Sequence, residues 1–194
     1  MNFLAHVYLS GNNPSLAIGN LIADKIKGKK VHELPREFQK GIYLHRYIDQ
    51  FTDQHLRFKK CVKELFPVYR HYSRVIVDMY FDHFLAKNWS RYHKIPLNEF
   101  SKNFYGKLTD SSIVFSDSIQ KFIIILVSHD WFGQYESISG LKNILGQMEK
   151  RTKFPSKLSD SINDLKIKYS YFENHFFIFF DELIDNTKNK IKSL

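Results

Sequence analysis

Apolar residues recur at helical spacing between positions 36 and 52, and this periodicity constrains the fold more than any other feature of the chain. They fall near one face of a helix with 3.6 residues per turn. The chain also has 18 Phe and 11 Tyr against 8 Gly and 5 Pro, so residues that interrupt helices are scarce. Both observations predict long helices joined by short loops. The periodic residues are Ile42, Leu44, Tyr47, Ile48 and Phe51.

Boundary signals place further helices along the chain. Asn13 followed by Pro14 is typical of a helix start, and Pro67 is expected to separate a short helix from a long one. Ser111 or Ser112 is expected to cap a helix that reaches residue 130. The predicted helices span about 14–27, 36–52, 55–65, 68–88, 97–108, 111–130, 138–151 and 158–187.

No strand pattern competes with these helices. Residues 123–127 are rich in β-branched side chains, but no partner strand follows, so a helix is expected there as well. The 194 residues are 43% hydrophobic, which is enough for one sizeable core. The sequence therefore predicts an all-α fold, in which residues 1–194 form a single-domain bundle of eight or nine helices.

The composition also bears on location and partners. The longest strongly apolar run has six residues, whereas a membrane span needs about 20, and the chain begins without the basic stretch of a secretory signal. The single cysteine, Cys61, lies among lysines and is expected at the surface. A cytoplasmic protein is predicted. Its net charge of +9 favours an acidic protein, a nucleic acid or an acidic lipid as partner, although solvated lysines explain it equally well.

The helix predicted over 36–52 carries a candidate metal site. His45, Asp49 and Asp53 are each four residues apart, and a four-residue step advances a helix by about 400°. His45 and Asp49 are therefore expected roughly 6 Å apart on one face, where a single divalent ion contacts both. Asp53 lies roughly 12 Å along the axis from His45, too far to share that ion, and has no assigned role.

Asp78 and Asp82 repeat this spacing on a second helix whose other residues are mostly apolar. Buried ionised carboxylates are costly unless they bind a metal or pair with a cation, so they indicate metal ligands or ion pairs with Arg46 or Arg74. His83 follows Asp82 directly and points about 100° away. It is expected to make a different contact, either as an acid or base at the edge of the site or in packing.

Two more polar residues stand alone on apolar segments. Asp24 lies in an apolar segment, one four-residue step after Asn20, and His6 lies in a segment that is equally apolar. A lone buried histidine is commonly bonded to backbone, and that interpretation stays open for His6. Oxygen-rich ligands with one or two histidines suit Mn²⁺, Mg²⁺ or Fe²⁺, which promote hydrolysis of phosphate esters. The combined set is His6, Asp24, His45, Asp49, Asp78 and Asp82.

In these motifs the chain resembles the acyl carrier protein phosphodiesterase family. The resemblance implies an enzyme that uses Mn²⁺ to remove the 4'-phosphopantetheine arm from holo acyl carrier protein. It also implies a variant of the helical HD phosphohydrolases, although their His-Asp doublet is reversed here at Asp82-His83 and a literal His129-Asp130 occurs later. The matching segments are 1–6, 19–24, 41–53 and 78–86, with Trp89 after them.

As a mechanistic hypothesis, we give the candidate residues specific roles in this reaction. Asp24, His45, Asp49, Asp78 and Asp82 are the predicted metal ligands. His6 or His83 is expected to protonate the leaving serine oxygen, and Arg46 or Lys25 to hold a phosphate group. The predicted partner is holo acyl carrier protein, whose acidity complements the charge of +9, and neither nucleic acid nor membrane is expected. Two alternatives stay open: a phosphohydrolase for nucleotides or other small phosphodiesters, and a non-catalytic module that binds acidic partners or nucleic acid.

Overall fold

The computed structural model describes residues 1–111 and 113–194, and these residues form an all-α fold. No strand occurs among them, and twelve α-helices replace the predicted eight or nine because several helices are divided or very short. Short 3-10 helices cover Ala23–Lys25, Gly28–Glu33 and Arg70–Tyr72. The α-helices are α1 (Phe3–Leu9), α2 (Pro14–Ile22), α3 (Arg36–Gln54), α4 (Leu56–Tyr69), α5 (Ser73–Lys87), α6 (Trp89–Tyr92), α7 (Leu97–Thr109), α8 (Asp117–Ser128), α9 (Trp131–Gln134), α10 (Ile138–Glu149), α11 (Ser161–Ile167) and α12 (Tyr169–Lys192).

Local signals predicted several boundaries correctly. The Asn13 side chain accepts a hydrogen bond of 3.1 Å from the Leu16 amide, and Pro14 occupies the first position of α2. Helix α3 follows Pro35 and runs two residues past its predicted end. Residues 123–127 lie within α8, so the expectation of a helix there is confirmed.

Helix α4 differs from the prediction in its end and in its buried face. Pro67 lies inside the helix, in its last turn, where a missing N–H removes only one backbone hydrogen bond. The helix ends instead at Arg70, whose φ of 49° lies in the left-handed region. Cys61 is fully buried, and burial raises the pKa of its thiol to about 12. The expectation of a surface thiol is therefore wrong.

The second half of the chain is divided more finely than predicted. Helix α8 begins after Ser116 and not after Ser111, while Ser112 lies outside the described residues. Asp130 has a left-handed φ of 41° and ends the α8 segment, and its side chain then accepts a hydrogen bond from the Gly133 amide at the start of α9. The His129-Asp130 doublet thus forms a helix junction. The segment predicted as one helix over 158–187 divides between α11 and α12.

One hydrophobic core joins the helices. Phe81 and Phe84 of α5 pack on Phe176 of α12 at ring-centroid distances of 5.6 and 5.8 Å, and Phe179 approaches Phe81 at 5.1 Å. Aromatic pairs at such distances add about 0.5–1.5 kcal/mol each beyond the burial of their area. Helix α12 also packs against α3 and α4, so the core holds these helices together. Within the described ranges, no helix is both long and apolar enough to cross a bilayer.

Helices α2 and α3 cross in backbone contact. A Cβ atom at Gly19 would lie 2.3 Å from the carbonyl oxygen of Phe38, and one at Gly41 would lie 2.3 Å from that of Leu16. Only glycine avoids both overlaps, because it has no Cβ. The crossing brings Asn20 of α2 directly against α3.

Candidate metal centre

His6 of α1 and His45 and Asp49 of α3 form a cluster of potential metal ligands. One ligand atom from each residue lies within 4.8 Å of the others. The His45 Nε2 atom is 3.1 Å from Asp49 Oδ2, as the four-residue spacing predicts, and His6 Nε2 is 3.3 Å from Asp49 Oδ1. The two imidazoles are buried and stack with their centroids 4.1 Å apart. The fold therefore brings together two nitrogen donors and a carboxylate, a set that can hold a divalent ion.

Asn20 orients both imidazoles. Its Oδ1 lies 2.8 Å from His6 Nδ1, and its backbone carbonyl oxygen lies 2.9 Å from His45 Nδ1. Its amide nitrogen donates to the carbonyl of His6 and to Ser10 Oγ, which leaves Oδ1 as an acceptor. Both Nδ1 atoms therefore donate, and both Nε2 atoms face the cluster. Metal-binding histidines are typically fixed by such a bond from the other ring nitrogen.

Asp24 adds a second carboxylate at the rim. It lies in the 3-10 helix after α2, and its Oδ1 is 3.2 Å from His45 Nε2. Burial lowers the pKa of His45, but the hydrogen bonds and charges of Asp24 and Asp49 outweigh it and raise the pKa to about 9. Without a metal, His45 is therefore an imidazolium paired with two carboxylates at neutral pH.

His6 is in the opposite state. Burial and the charge of His45 lower the pKa of His6 to about 4, so its ring is neutral at pH 7. Its Nε2 atom is buried and makes no well-aligned hydrogen bond to any described residue. A buried lone pair that faces Asp49 without a partner fits a metal ligand better than the proton donor that the sequence predicts.

Asp78 and Asp82 contact the N-terminal segment of the chain and not the cluster or an arginine. Asp78 lies 2.8 Å from the ammonium group of Met1. Asp82 is fully buried and accepts hydrogen bonds from the backbone amides of Leu4, at 2.8 Å, and Asn2, at 3.3 Å. Burial raises the pKa of Asp82 to about 7. The structure thus gives Asp82 the task of fixing the start of α1, the helix that carries His6.

The structure does not bring Arg46 and His83 to the cluster. Arg46 is exposed, and its guanidinium lies 5.8 Å from the ring centroid of Tyr43. His83 is buried, with Nδ1 2.7 Å from the carbonyl oxygen of Tyr135 and Nε2 3.0 Å from the Tyr169 hydroxyl. Both ring nitrogens of His83 are thereby engaged. Neither residue is among those that line the cavity beside the cluster.

A cavity of about 320 Å³ opens beside the cluster. Besides His45, Asp49, Asp24 and Asp78, its walls include Asp53, His71 and Arg74, and Arg74 forms an ion pair with Asp53. Asp53 thus holds the guanidinium group of Arg74 at the edge of the cavity. His71 and Arg74 come from the junction of α4 and α5. The sequence predicts no role for His71, and it offers Arg74 only as an ion-pair partner of Asp78 or Asp82. No local motif marks them, because tertiary packing alone brings this junction to the cluster.

Comparisons with known proteins identify the family. The family model described as acyl carrier protein phosphodiesterase matches residues 1–183. Proteins named acyl carrier protein phosphodiesterase from Enterobacter sp. (strain 638), Klebsiella pneumoniae (strain 342) and Escherichia coli O6:H1 are each 30% identical to this chain over 194 residues. Each alignment covers 98% of this chain and 99% of the relative. No solved structure matches significantly. The chain belongs to the acyl carrier protein phosphodiesterase family.

Proposed function

We propose that this chain is a metal-dependent phosphodiesterase that removes 4'-phosphopantetheine from holo acyl carrier protein. Water breaks the bond between phosphorus and the serine oxygen of the carrier, which gives the apo protein and free 4'-phosphopantetheine. The observation that carries the proposal is the cluster of His6, His45 and Asp49 in a chain whose relatives bear this name. The net charge of +9 suits an acidic protein substrate.

His6, His45 and Asp49 would hold the ion, with Asp24 as a further carboxylate at the rim. Two imidazoles with carboxylates suit Mn²⁺, and Mg²⁺ or Fe²⁺ are alternatives. When bound, such an ion polarises a phosphoryl oxygen and lowers the pKa of water. The unpartnered Nε2 atom of His6 and the Nδ1 bonds that Asn20 accepts support this assignment.

Two residues of the cavity wall complete the proposed mechanism. The Arg74 guanidinium, held by Asp53, binds phosphoryl oxygens and offsets the negative charge that develops on them. His71 protonates the serine oxygen as it leaves, because its imidazole lines the same cavity as the cluster and can donate a proton there. In this proposal His71 replaces His6 and His83 as the proton donor, and Arg74 replaces Arg46.

The proposal is tested by incubating the purified protein with Mn²⁺ and holo acyl carrier protein. Mass spectrometry is expected to show conversion to the apo form, which chelation by EDTA abolishes. Asp49→Ala is expected to lose this activity with an unchanged helical circular dichroism spectrum, while Asp110→Ala, outside the cavity, retains it. Release of phosphate groups from a nucleotide panel without action on the carrier would favour the small-phosphodiester alternative and overturn the proposal.

A further inference from the structure

Helix α4 carries an apolar groove bordered by positive charge, which we name the α4 groove. Its volume is about 410 Å³, larger than that of the cavity at the cluster, and its lining is almost entirely apolar. Phe66 is 44% exposed, an unusual fraction for an aromatic side chain on a helix that packs into the core. The groove has Phe58, Val62 and Phe66 in its wall and Lys59, Lys63 and Arg74 beside them.

The groove follows one face of α4. Lys59, Val62, Lys63 and Phe66 are spaced by three, one and three residues, so they share a side of the helix. The Arg70 guanidinium lies 5.7 Å from the ring centroid of Phe66, which extends the positive border past the end of the helix. An apolar strip framed by cations is typical of a surface that binds another protein.

Two cations of this face, Lys59 and Lys63, are available to a partner. In the part of the chain that the structure describes, no carboxylate lies within ion-pair distance of Lys59 or Lys63. Unpaired charges at the rim of an interface steer oppositely charged partners and raise the association rate. The charge of the groove is therefore complementary to an acidic molecule.

Arg74 joins the groove to the candidate metal centre, because it lines both the groove and the cavity beside the cluster. A molecule seated in the groove consequently contacts the same side chain as a phosphodiester at the cluster. The cavity and the groove are thus adjacent, and the side chain of Arg74 lies between them.

We propose that the α4 groove is the docking surface for the acidic carrier protein, an inference that rests on the function proposed above. Apolar side chains of the carrier pack against the wall formed by Val62 and Phe66, and carboxylates of the carrier face Lys59 and Lys63. A nucleic acid duplex fits this surface less well, because it would present phosphates and sugars to the apolar wall.

The test reverses the two lysine charges. Lys59→Glu/Lys63→Glu is expected to lower kcat/KM for holo acyl carrier protein about tenfold or more at low salt, and to weaken the salt dependence of kcat/KM. Hydrolysis of bis(4-nitrophenyl) phosphate with Mn²⁺ is expected to stay unchanged, because this small diester does not reach the groove. Phe66→Ser is expected to weaken carrier binding with no change in charge.

The control is Lys142→Glu/Lys150→Glu, which changes the net charge equally. These lysines lie in a separate groove on α10 that shares no lining residue with the α4 groove or the cavity. The control is expected to retain most of its activity towards the carrier. Equal losses in the two double variants would mean that net charge alone matters, and a parallel loss towards the small diester would mean a defect in catalysis. Either result overturns the docking proposal.

A binding experiment separates failure of docking from failure of the proposed function. Fluorescence anisotropy with labelled holo acyl carrier protein needs no turnover. If the wild type hydrolyses no carrier yet binds it, and Lys59→Glu/Lys63→Glu weakens that binding tenfold, docking stands and the proposed reaction fails. If the wild type binds no carrier, or binds a single-stranded oligonucleotide more tightly at the same salt, docking is overturned.

Discussion

The imidazoles of His6 and His45 stack with centroids 4.1 Å apart and planes inclined by 19°, yet they differ in charge at neutral pH. Two carboxylates face His45 and favour its protonated form, whereas burial and the neighbouring positive charge keep His6 neutral. The metal-free cluster therefore holds one proton on the ligand atom of His45. A metal ion has to displace that proton.

Metal affinity is consequently expected to rise with pH. The pKa of His45 is raised to about 9, so the proton competes with the metal below pH 9 and no longer does so above it. The Kd for Mn²⁺ is expected to fall about tenfold per pH unit between pH 7 and 9. Calorimetry in buffers of different ionisation enthalpy should detect close to one released proton. Asp24→Asn removes one of the carboxylates that raise the pKa of His45, so the pH dependence of the Kd should end at a lower pH. A Kd that does not change with pH in the wild type would contradict the assignment of His45 as a metal ligand.

Asn20 is expected to control the His6 side of the site. Asn20→Leu removes the acceptor for His6 Nδ1 but keeps the backbone carbonyl that binds His45. The affinity for Mn²⁺ is expected to fall about 10- to 100-fold, as for other residues that orient metal ligands. Asn20→Asp retains an acceptor and should recover part of the loss. Full affinity in the leucine variant, measured by titration, would show that Asn20 does not position a ligand.

The crossing of α2 and α3 is expected to tolerate no side chain at Gly41. Gly41→Ala places a Cβ atom 2.3 Å from a backbone oxygen of α2, which cannot move without displacing the helix. The free energy of unfolding is expected to fall by about 1–3 kcal/mol or more. Gly106→Ala is the control, because among the described residues nothing beyond the adjoining backbone of its own helix lies within 4 Å of a Cβ atom placed there. Alanine at this position favours the helix by about 1 kcal/mol. Urea denaturation measures both, and equal effects would contradict the close crossing.

Asp82 gives the stability of the fold a pH dependence. Burial raises the pKa of this carboxyl from 3.8 to about 7, so the folded state holds the proton more tightly than the unfolded state. The resulting contribution to stability is present below pH 4 and is lost as pH rises through 7. Asp82→Asn has no carboxyl group to titrate at this position, so its stability does not fall in this way. The free energy of unfolding of the variant minus that of the wild type is therefore expected to increase from pH 4 to pH 7.5. Urea denaturation of the metal-free proteins across this range measures the difference, and a constant difference would contradict it.

The sequence predicted those parts of the site that depend on local geometry. His45 and Asp49 share one face of α3 because of their spacing, and the positions of His6 and Asp24 on apolar segments marked them as candidates. The apolar surroundings of Asp82 also predict that its carboxyl needs partners. Those partners are backbone amides at the start of α1, and only the tertiary fold brings them next to Asp82.

The α4–α5 junction shows why the rest escaped prediction. Proline is normally a helix breaker, so the sequence predicts a boundary at Pro67, whereas the helix continues to Tyr69 and ends at Arg70. His71 and Arg74 follow this break, and their approach to the cluster depends on how α5 packs. The likeness to HD phosphohydrolases, the cytoplasmic location and the extent of the domain over 1–194 stay predictions.

The backbone contact at Gly19 and Gly41 has a consequence for motion. Closely packed helices transmit displacements to each other, so we expect His45, Asp49 and the Asn20 side chain to fluctuate together. The opposite wall of the cavity follows the left-handed residue Arg70, between two helices. When a carrier protein binds, we expect the backbone to adjust at Arg70, between α4 and α5. The residues of α2 and α3 at the candidate metal centre would then keep their positions while the wall that faces the carrier shifts.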